Sequence, residues 1–364
     1  MAVQQDFNVN AAPPYNNGAK PLVLVDIAHD EPGRGDTHGY IGIARRVAQE
    51  TNAEFMYVDN HVLEDMYPQL RDREERLLQL FEDKGCPDFL FSRWLGFRVH
   101  QALEEKGTGV VISNINEQLA DSLGMPHRKY PQEIVPHHLS PEELQYQGQR
   151  FAEEYQELPR PFIGVNLVSM NEGGTASLAE RLAALKNAYP EATFFICSCH
   201  RTDERAQRHF MKMLREGLQG SEDKFPVVEF DYKAQMAQQG QHNFWNPYVG
   251  LIDQADHLIV AGTSMSMISE PLVAGRTVHT TEEHVYKASV EKGYLRPLSG
   301  YPLGIALRTH NITPVDMTGE CAERIIQRHA KMKEQTRPPG LLSRMAVKLK
   351  LQGAPPVPQR YMSV

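Results

Sequence analysis

The sequence predicts an α/β fold in two halves, each built on a parallel sheet, and three observations carry that prediction. The chain has 364 residues, long for one hydrophobic core and comfortable for two domains. Short apolar runs of strand length alternate with amphipathic stretches of helix length, the pattern of a parallel sheet covered on both faces. The alternation breaks at Leu158-Pro-Arg-Pro161 and starts afresh at Phe162. The expected division is a leader at 1–20, a first domain at 21–158, a second at 162–330 and a basic tail at 331–364.

The first half opens with Pro21–Ile27, an apolar strand, and a loop through Tyr40 holding Gly33, Gly35 and Gly39. A helix from Ile41 to Glu50 follows, with Ile41, Ala44 and Val47 on one face. Strand, glycine loop and helix make a Rossmann-like beginning, yet the third glycine comes one residue too late for Gly-x-Gly-x-x-Gly, and no Gly-Lys-Ser/Thr follows. Asp36 and His38 in this loop are the candidate proton acceptors. Strands are expected at Ala53–Asp59, Asp88–Phe91, Gly109–Ser113 and Glu133–Pro136. Helices are expected at Glu64–Lys84 and Arg93–Lys106, the latter packing through Trp94, Phe97 and Leu103. Ser140, Pro141 and Glu143 form a helix start with cap, first-turn proline and capping-box glutamate, and that helix runs to about Glu157.

In the second half, Phe162–Val168 is a strand. Gly173-Gly174 then reads as a small-residue loop before a helix from Leu178 to Ala188, suited to phosphate. Ala192–Cys197 is the next strand, leading through Arg201 and Thr202 into a helix that ends near Gly217. Val227–Asp231 is a strand and Gln235–Gln241 a loop. Phe244, Trp245 and Tyr248 read either as core or as walls for a base or sugar. Asn246 to His279 is the most informative stretch: a helix, the strand His257–Ala261, a loop with Thr263, Ser264 and Ser266, a helix ended by Gly275, and the next strand. Free N–H groups and the positive end of a helix dipole favour an anion at such a loop. Glu270 lies within reach of a ribose diol there. The bland alternative is an ordinary turn with a solvated glutamate.

The same residues resemble a known family. Asn246-Pro-Tyr248 with Ser266-Met-Ile-Ser-Glu270 is similar to the family named after the plant elongated-mitochondria fission protein, whose bacterial members look like GT-B glycosyltransferases. His138-Leu-Ser-Pro-Glu142 and Leu158-Pro-Arg-Pro161 resemble its interdomain join. Pro32-Gly33-Arg34 keeps two positions of its Pro-Gly-His-x-x-Gln loop, and Cys199-His-Arg-Thr202 stands where the family has Ser-Arg-Arg-Thr. The resemblance implies a GT-B-like pair of Rossmann-like domains facing across a cleft, and metal-independent transfer from a nucleotide-diphosphate sugar to an unknown acceptor, with no further cofactor. It implies Arg201 and Thr202 at the pyrophosphate, and Gly174, Asn246, Ser264, Ser266, Met267 and Ser269 around the donor. Glu270 would meet the ribose, and His38 or Asp36 would act as base. A sugar-nucleotide epimerase and a non-catalytic adaptor of the same fold are the alternatives.

The net charge of −8 argues against a nucleic-acid partner. The polar start, without the basic and apolar regions of a signal peptide, leads to the expectation of a cytoplasmic protein. The tail carries seven basic residues against Glu334 alone, and Leu341–Leu351 interleaves apolar and basic positions. It reads as a solvated strap or as a peripheral contact with an anionic inner membrane, which would suit a lipid-linked acceptor. Cys86, Cys197, Cys199 and Cys321 lack paired metal-ligand spacing, so reduced thiols and no metal site are expected.

Overall fold

The computed structural model describes residues 20–27, 35–92, 97–106, 110–112, 130–168 without 132, 170, 172–238, 245–309 and 312–336. The leader, the first part of the glycine loop, Trp94, Phe244 and the tail beyond Thr336 lie outside them.

The first half is a four-stranded parallel sheet in the order β2-β1-β3-β4, formed by β1 (Leu22–Asp26), β2 (Glu54–Val58), β3 (Phe89–Ser92) and β4 (Val110–Ile112). Helix α1 (Gly35–Thr51) starts earlier than the glycines suggested, so Asp36 and His38 stand in its first turns. It buries Tyr40, Ile43, Ala44, Val47 and Ala48, a helical-period stripe facing the sheet. The expected single charged helix is two, α2 (Asn60–Met66) and α3 (Arg73–Lys84), each capped by an aspartate, Asp59 and Asp72. Pro68 lies between them, where it cannot continue a helix. In α4 (Phe97–Lys106), Leu103 is buried as expected, with Val99. Phe97 is 81 % exposed, a correction explained by its place in the first turn, off the Val99–Leu103 stripe.

Glu133–Pro136 is not a strand. This segment crosses between the halves and spends its hydrogen bonds on helices: the Val135 N–H donates to Ser269 Oγ (2.9 Å), and the His137 N–H to Thr318 Oγ1 (3.0 Å). Helix α5 (Pro141–Glu154) has the predicted Ser140 cap, which accepts from the Glu143 N–H. It packs towards the second half, with Phe151 fully buried among Phe162, Phe195 and Phe230.

The second sheet has six parallel strands in the order β10-β9-β8-β5-β6-β7. They are β5 (Phe162–Leu167), β6 (Thr193–Ser198), β7 (Val227–Phe230), β8 (His257–Ala261), β9 (Val278–Thr280) and β10 (Leu295–Pro297). Helix α6 (Glu172–Ala184) begins before Gly173, so the expected Gly-Gly loop is helical and Gly174 lies in its first turn. Then come α7 (Glu204–Gly217) and α8 (Tyr232–Gln238), the latter occupying most of the run expected as a loop. Ala234, Ala237 and Gln238 are exposed, helix positions where such residues cost little, which is why composition misled there. Helix α9 (Pro247–Gln254) is capped by Asn246, and α10 (Met265–Val273) by Ser264. Gly275, at φ +69°, ends the chain's run after α10. Helix α11 (Lys287–Glu291) is short, and α12 (Met317–Thr336) crosses back to the first half. There Lys333 Nζ donates to Asp88 Oδ1 at 2.9 Å and the His329 ring lies 4.3 Å from that of Phe89.

One apolar cluster joins Val23, Ile43 and Phe89 of the first half to Val260, Ile268, Leu272 and Ala322 of the second. The expected α/β fold with two parallel sheets is the one observed, the two sheets sharing one apolar cluster and tied by the last helix. None of the described helices is long and apolar enough to cross a membrane. All four cysteines are free.

Candidate functional site

In an open parallel sheet, ligands bind beyond the carboxyl ends of the strands, where the strand order reverses. The second sheet reverses at β5, because β6 and β7 lie on one side and β8, β9 and β10 on the other. The Val168 N–H donates to the Ala261 carbonyl (2.9 Å), holding the ends of β5 and β8 together. The segments that follow carry the small polar residues singled out in the sequence, with the Arg201 loop one strand away after β6.

Ser264 is buried and caps α10, its Oγ accepting from the Met267 N–H (3.4 Å) and lying 3.3 Å from Ser266 Oγ. Gly262, at φ +92°, turns the chain out of β8, a conformation that costs little only for glycine. The Ser264 N–H donates to Tyr286 Oη at 2.6 Å. Burial raises the Tyr286 phenol pKa, an effect moderated by the Ser264 N–H and the nearby Arg201 charge. Arg201 is exposed, and its charge acts on Tyr286, the partner of the Ser264 N–H, although 62 residues lie between Arg201 and Ser264. A helix N-terminus, two hydroxyls and a guanidinium around one crevice suit a diphosphate.

Other sequence candidates occupy structural posts. Thr202 Oγ1 accepts from the Cys199 N–H (2.8 Å) and donates to the Leu167 carbonyl, clipping the β6 loop to β5. Asn246 Oδ1 accepts from the Tyr248 N–H at 3.2 Å as a helix cap. Ser269 Oγ donates to the Met265 carbonyl while accepting from Val135. Trp245 packs with Tyr155 as part of the core.

Glu270 is the largest departure from expectation. It is 6 % exposed, not open to a ribose at a crevice mouth. Its Oε2 accepts from Tyr248 Oη at 2.8 Å. Across the joint it faces His38, from α1, and His138, from the segment before α5: one ligand atom of each of the three side chains lies within 4.8 Å of the others. The two imidazole rings are 4.1 Å apart, tilted by 55°. Gly42 permits this approach, because a Cβ there would meet the His137 carbonyl oxygen at 1.9 Å. Burial without a counter-charge pushes the Glu270 carboxyl up to about 7, against the lowering hydrogen bond from Tyr248. Burial lowers His38 to about 4 and His138 well below its usual range. At neutral pH both imidazoles are therefore neutral and Glu270 is poised between its two forms.

Sequence reasoning missed His138 as a partner of His38, because nothing in their spacing shows that 99 intervening residues fold back onto α1. It also passed over Asn166, fully buried in mid-β5 with neither side-chain atom hydrogen-bonded. Its cue was visible: an amide inside Phe-Ile-Gly-Val-Asn-Leu-Val is costly unless it serves something.

The family model described as Mitochondrial fission ELM1 matches residues 127–329, more than half of the chain. That is the family whose motifs the second half resembles, and the match leaves out the divergent first glycine loop. Among solved structures, UDP-GlcNAc 2-epimerase from Methanocaldococcus jannaschii is similar at 11 % identity and TM-score 0.46, over 84 % of this chain and 99 % of that one. A family 9 glycosyl transferase from Veillonella parvula is similar at 11 % identity and TM-score 0.39, over 87 % and 98 %. MurG from Acinetobacter baumannii is similar at 12 % identity and TM-score 0.37, over 91 % and 99 %. No curated protein sequence matches the chain.

Proposed function

The chain belongs to that fission-protein family, and from this premise we propose that it is a glycosyltransferase that takes its sugar from a nucleoside-diphosphate donor. The observation that carries the reading is the convergence of Arg201 and the Ser264-capped start of α10 at the β5/β8 reversal. The diphosphate binds there to backbone N–H groups, Ser266 and the guanidinium, with no metal ion needed to neutralise it. The epimerase and family 9 proteins named above have names that refer to a nucleotide sugar or to glycosyl transfer, which agrees with the reading without carrying it.

The acceptor approaches from the first half. His38, neutral at pH 7, offers a lone pair to an acceptor hydroxyl as sugar–phosphate cleavage begins, and the leaving diphosphate takes its charge into the α10 dipole. Glu270 is assigned to the joint rather than to the ribose, since its carboxylate is already engaged by Tyr248 and faces two imidazoles. The acceptor is a hydroxyl compound of the cell envelope, delivered at the membrane surface by the basic tail.

A thermal-shift panel of UDP, GDP, CDP, ADP and dTDP tests the donor, with and without EDTA. Stabilisation by one diphosphate that survives EDTA is the expected result. Product analysis with the matching sugar nucleotide alone then separates the chemistries: an altered sugar without acceptor would make the protein an epimerase instead.

A further inference from the structure

We propose that His38, His138 and Glu270 form a binding site for a divalent metal ion of the zinc class, at the joint between the two halves. The inference goes beyond the donor site and does not depend on it. Two imidazoles and one carboxylate are a donor set that suits first-row divalent ions, and three protein ligands leave a fourth position for water or a substrate oxygen.

The geometry is close to what ligation needs. Ligand atoms bonded at about 2.1 Å to a tetrahedral ion lie roughly 3.4 Å apart, whereas these three lie within 4.8 Å of one another. Closing that difference calls for changes in the side-chain torsions of the two imidazoles and the carboxylate. Tyr248 holds Glu270 by Oε2, which orients the carboxylate and leaves Oε1 for the ion, as an outer-shell hydrogen bond commonly does. Nδ1 of His138 is buried and makes no hydrogen bond, an orphaned atom whose cost a metal bond would remove.

The electrostatics agree. Among the described residues no lysine or arginine forms an ion pair with Glu270, so its buried carboxylate lacks a cation. Arg45 adds positive potential near His138, and a dication must overcome it. The Glu270 carboxylate is the charge available for that.

A bound ion would tie α1 and the His138 segment to α10, clamping the cleft. With an ion bound, the His38 lone pair is engaged, so the base for an acceptor hydroxyl would be a hydroxide at the open fourth position instead of His38.

Cobalt titration of the full chain, after chelator treatment and desalting, tests the site. One equivalent of Co2+ should give d–d absorption of a low-coordinate N/O site, bleached by stoichiometric Zn2+. His38→Ala, His138→Ala and Glu270→Gln should each abolish it, and Tyr248→Phe should weaken binding roughly tenfold. His284→Ala, on an exposed loop, should leave it unchanged. Circular dichroism verifies that each variant folds, and Glu270→Gln keeps the shape of the joint should either alanine variant fail. Absence of the bands in the wild type, or their persistence in folded Glu270→Gln, would overturn the proposal. The nucleotide panel is read separately, so failure of the metal site leaves the donor reading standing, and the reverse.

Discussion

The two sheets present opposite chemistry at the points where their strand order reverses. In the first sheet the reversal lies between β1 and β3, and it is filled by acid: Asp26 and Ser92, paired in register, end the two strands. Ser92 Oγ donates to Asp26 Oδ2 at 2.7 Å, and Arg73 closes the site with an ion pair to the buried Asp26. In the second sheet the reversal is lined by backbone N–H groups, hydroxyls and an exposed guanidinium. A phosphate would meet a carboxylate in one crevice and a helix N-terminus in the other. One topology thus ends in a self-satisfied ion pair in the first sheet and, in the second, in the residues proposed above for a diphosphate, according to which side chains end its strands.

The largest expected effect breaks the first crevice. Asp26→Ala leaves Arg73 in a site built for a pair, and removing one partner of a buried pair costs about 3–5 kcal/mol. Urea unfolding should show that loss. A loss under 1 kcal/mol would mean that Arg73 simply swings to solvent.

Gly42→Ala comes next. The new methyl group collides with the His137 backbone, so α1 and the crossing segment must part, at about 1–3 kcal/mol for overpacking. The midpoint of thermal unfolding should fall while nucleotide affinity changes little, because the residues proposed for the diphosphate all lie in the second half. Equal losses of both would show that the halves act as one unit.

The pH dependence of stability separates the joint from the crevice again. His38, His137 and His257 are each lowered to about 4 by burial, so the native state binds fewer protons than the unfolded chain between that value and about 6.5. Their contribution is complete above pH 6.5 and is lost as pH falls towards 4. Glu270, raised to about 7, works the other way: its ionisation costs stability as pH climbs from about 4.5 to 7. The three histidines outnumber it, so stability measured by urea unfolding should drop from pH 6.5 to 4.5. In Glu270→Gln the drop should be steeper; an unchanged slope would place the carboxyl in water.

The smallest structural effect belongs to Arg201→Gln. Its side chain is exposed, so stability should stay within about 0.5 kcal/mol, while the affinity for a nucleoside diphosphate falls roughly tenfold through loss of a charge-assisted contact worth about 1.5 kcal/mol. A calorimetric titration reads both the affinity and the stoichiometry.

What could be read in the sequence follows the same division. Local signals carried far: the strand His257–Ala261 is found with the bounds expected, Ser140 caps and Gly275 stops a helix as expected, and of the three small polar residues Thr263, Ser264 and Ser266 it is Ser264 that caps α10. These depend on neighbours a few residues away. Gly35, Gly39 and Gly173-Gly174 misled, because glycine reads as a loop signal where tertiary packing extends α1 and α6 through it. The joint was illegible. His38, His138, Tyr248 and Glu270 come from four segments, and only the folded chain brings His138 beside His38. The same distance explains why Glu270, recognisable from its motif, was assigned to open crevice chemistry rather than to a buried cluster.

The most direct test of the central claim is thermal unfolding of the wild type and Arg201→Gln proteins against the five nucleoside diphosphates, with EDTA present. A single diphosphate should stabilise the wild type, by about 2.7 kcal/mol at a hundred times its dissociation constant, and stabilise Arg201→Gln clearly less at the same concentration. No stabilisation by any diphosphate, or equal stabilisation of both proteins, would contradict a donor site at the β5/β8 crevice.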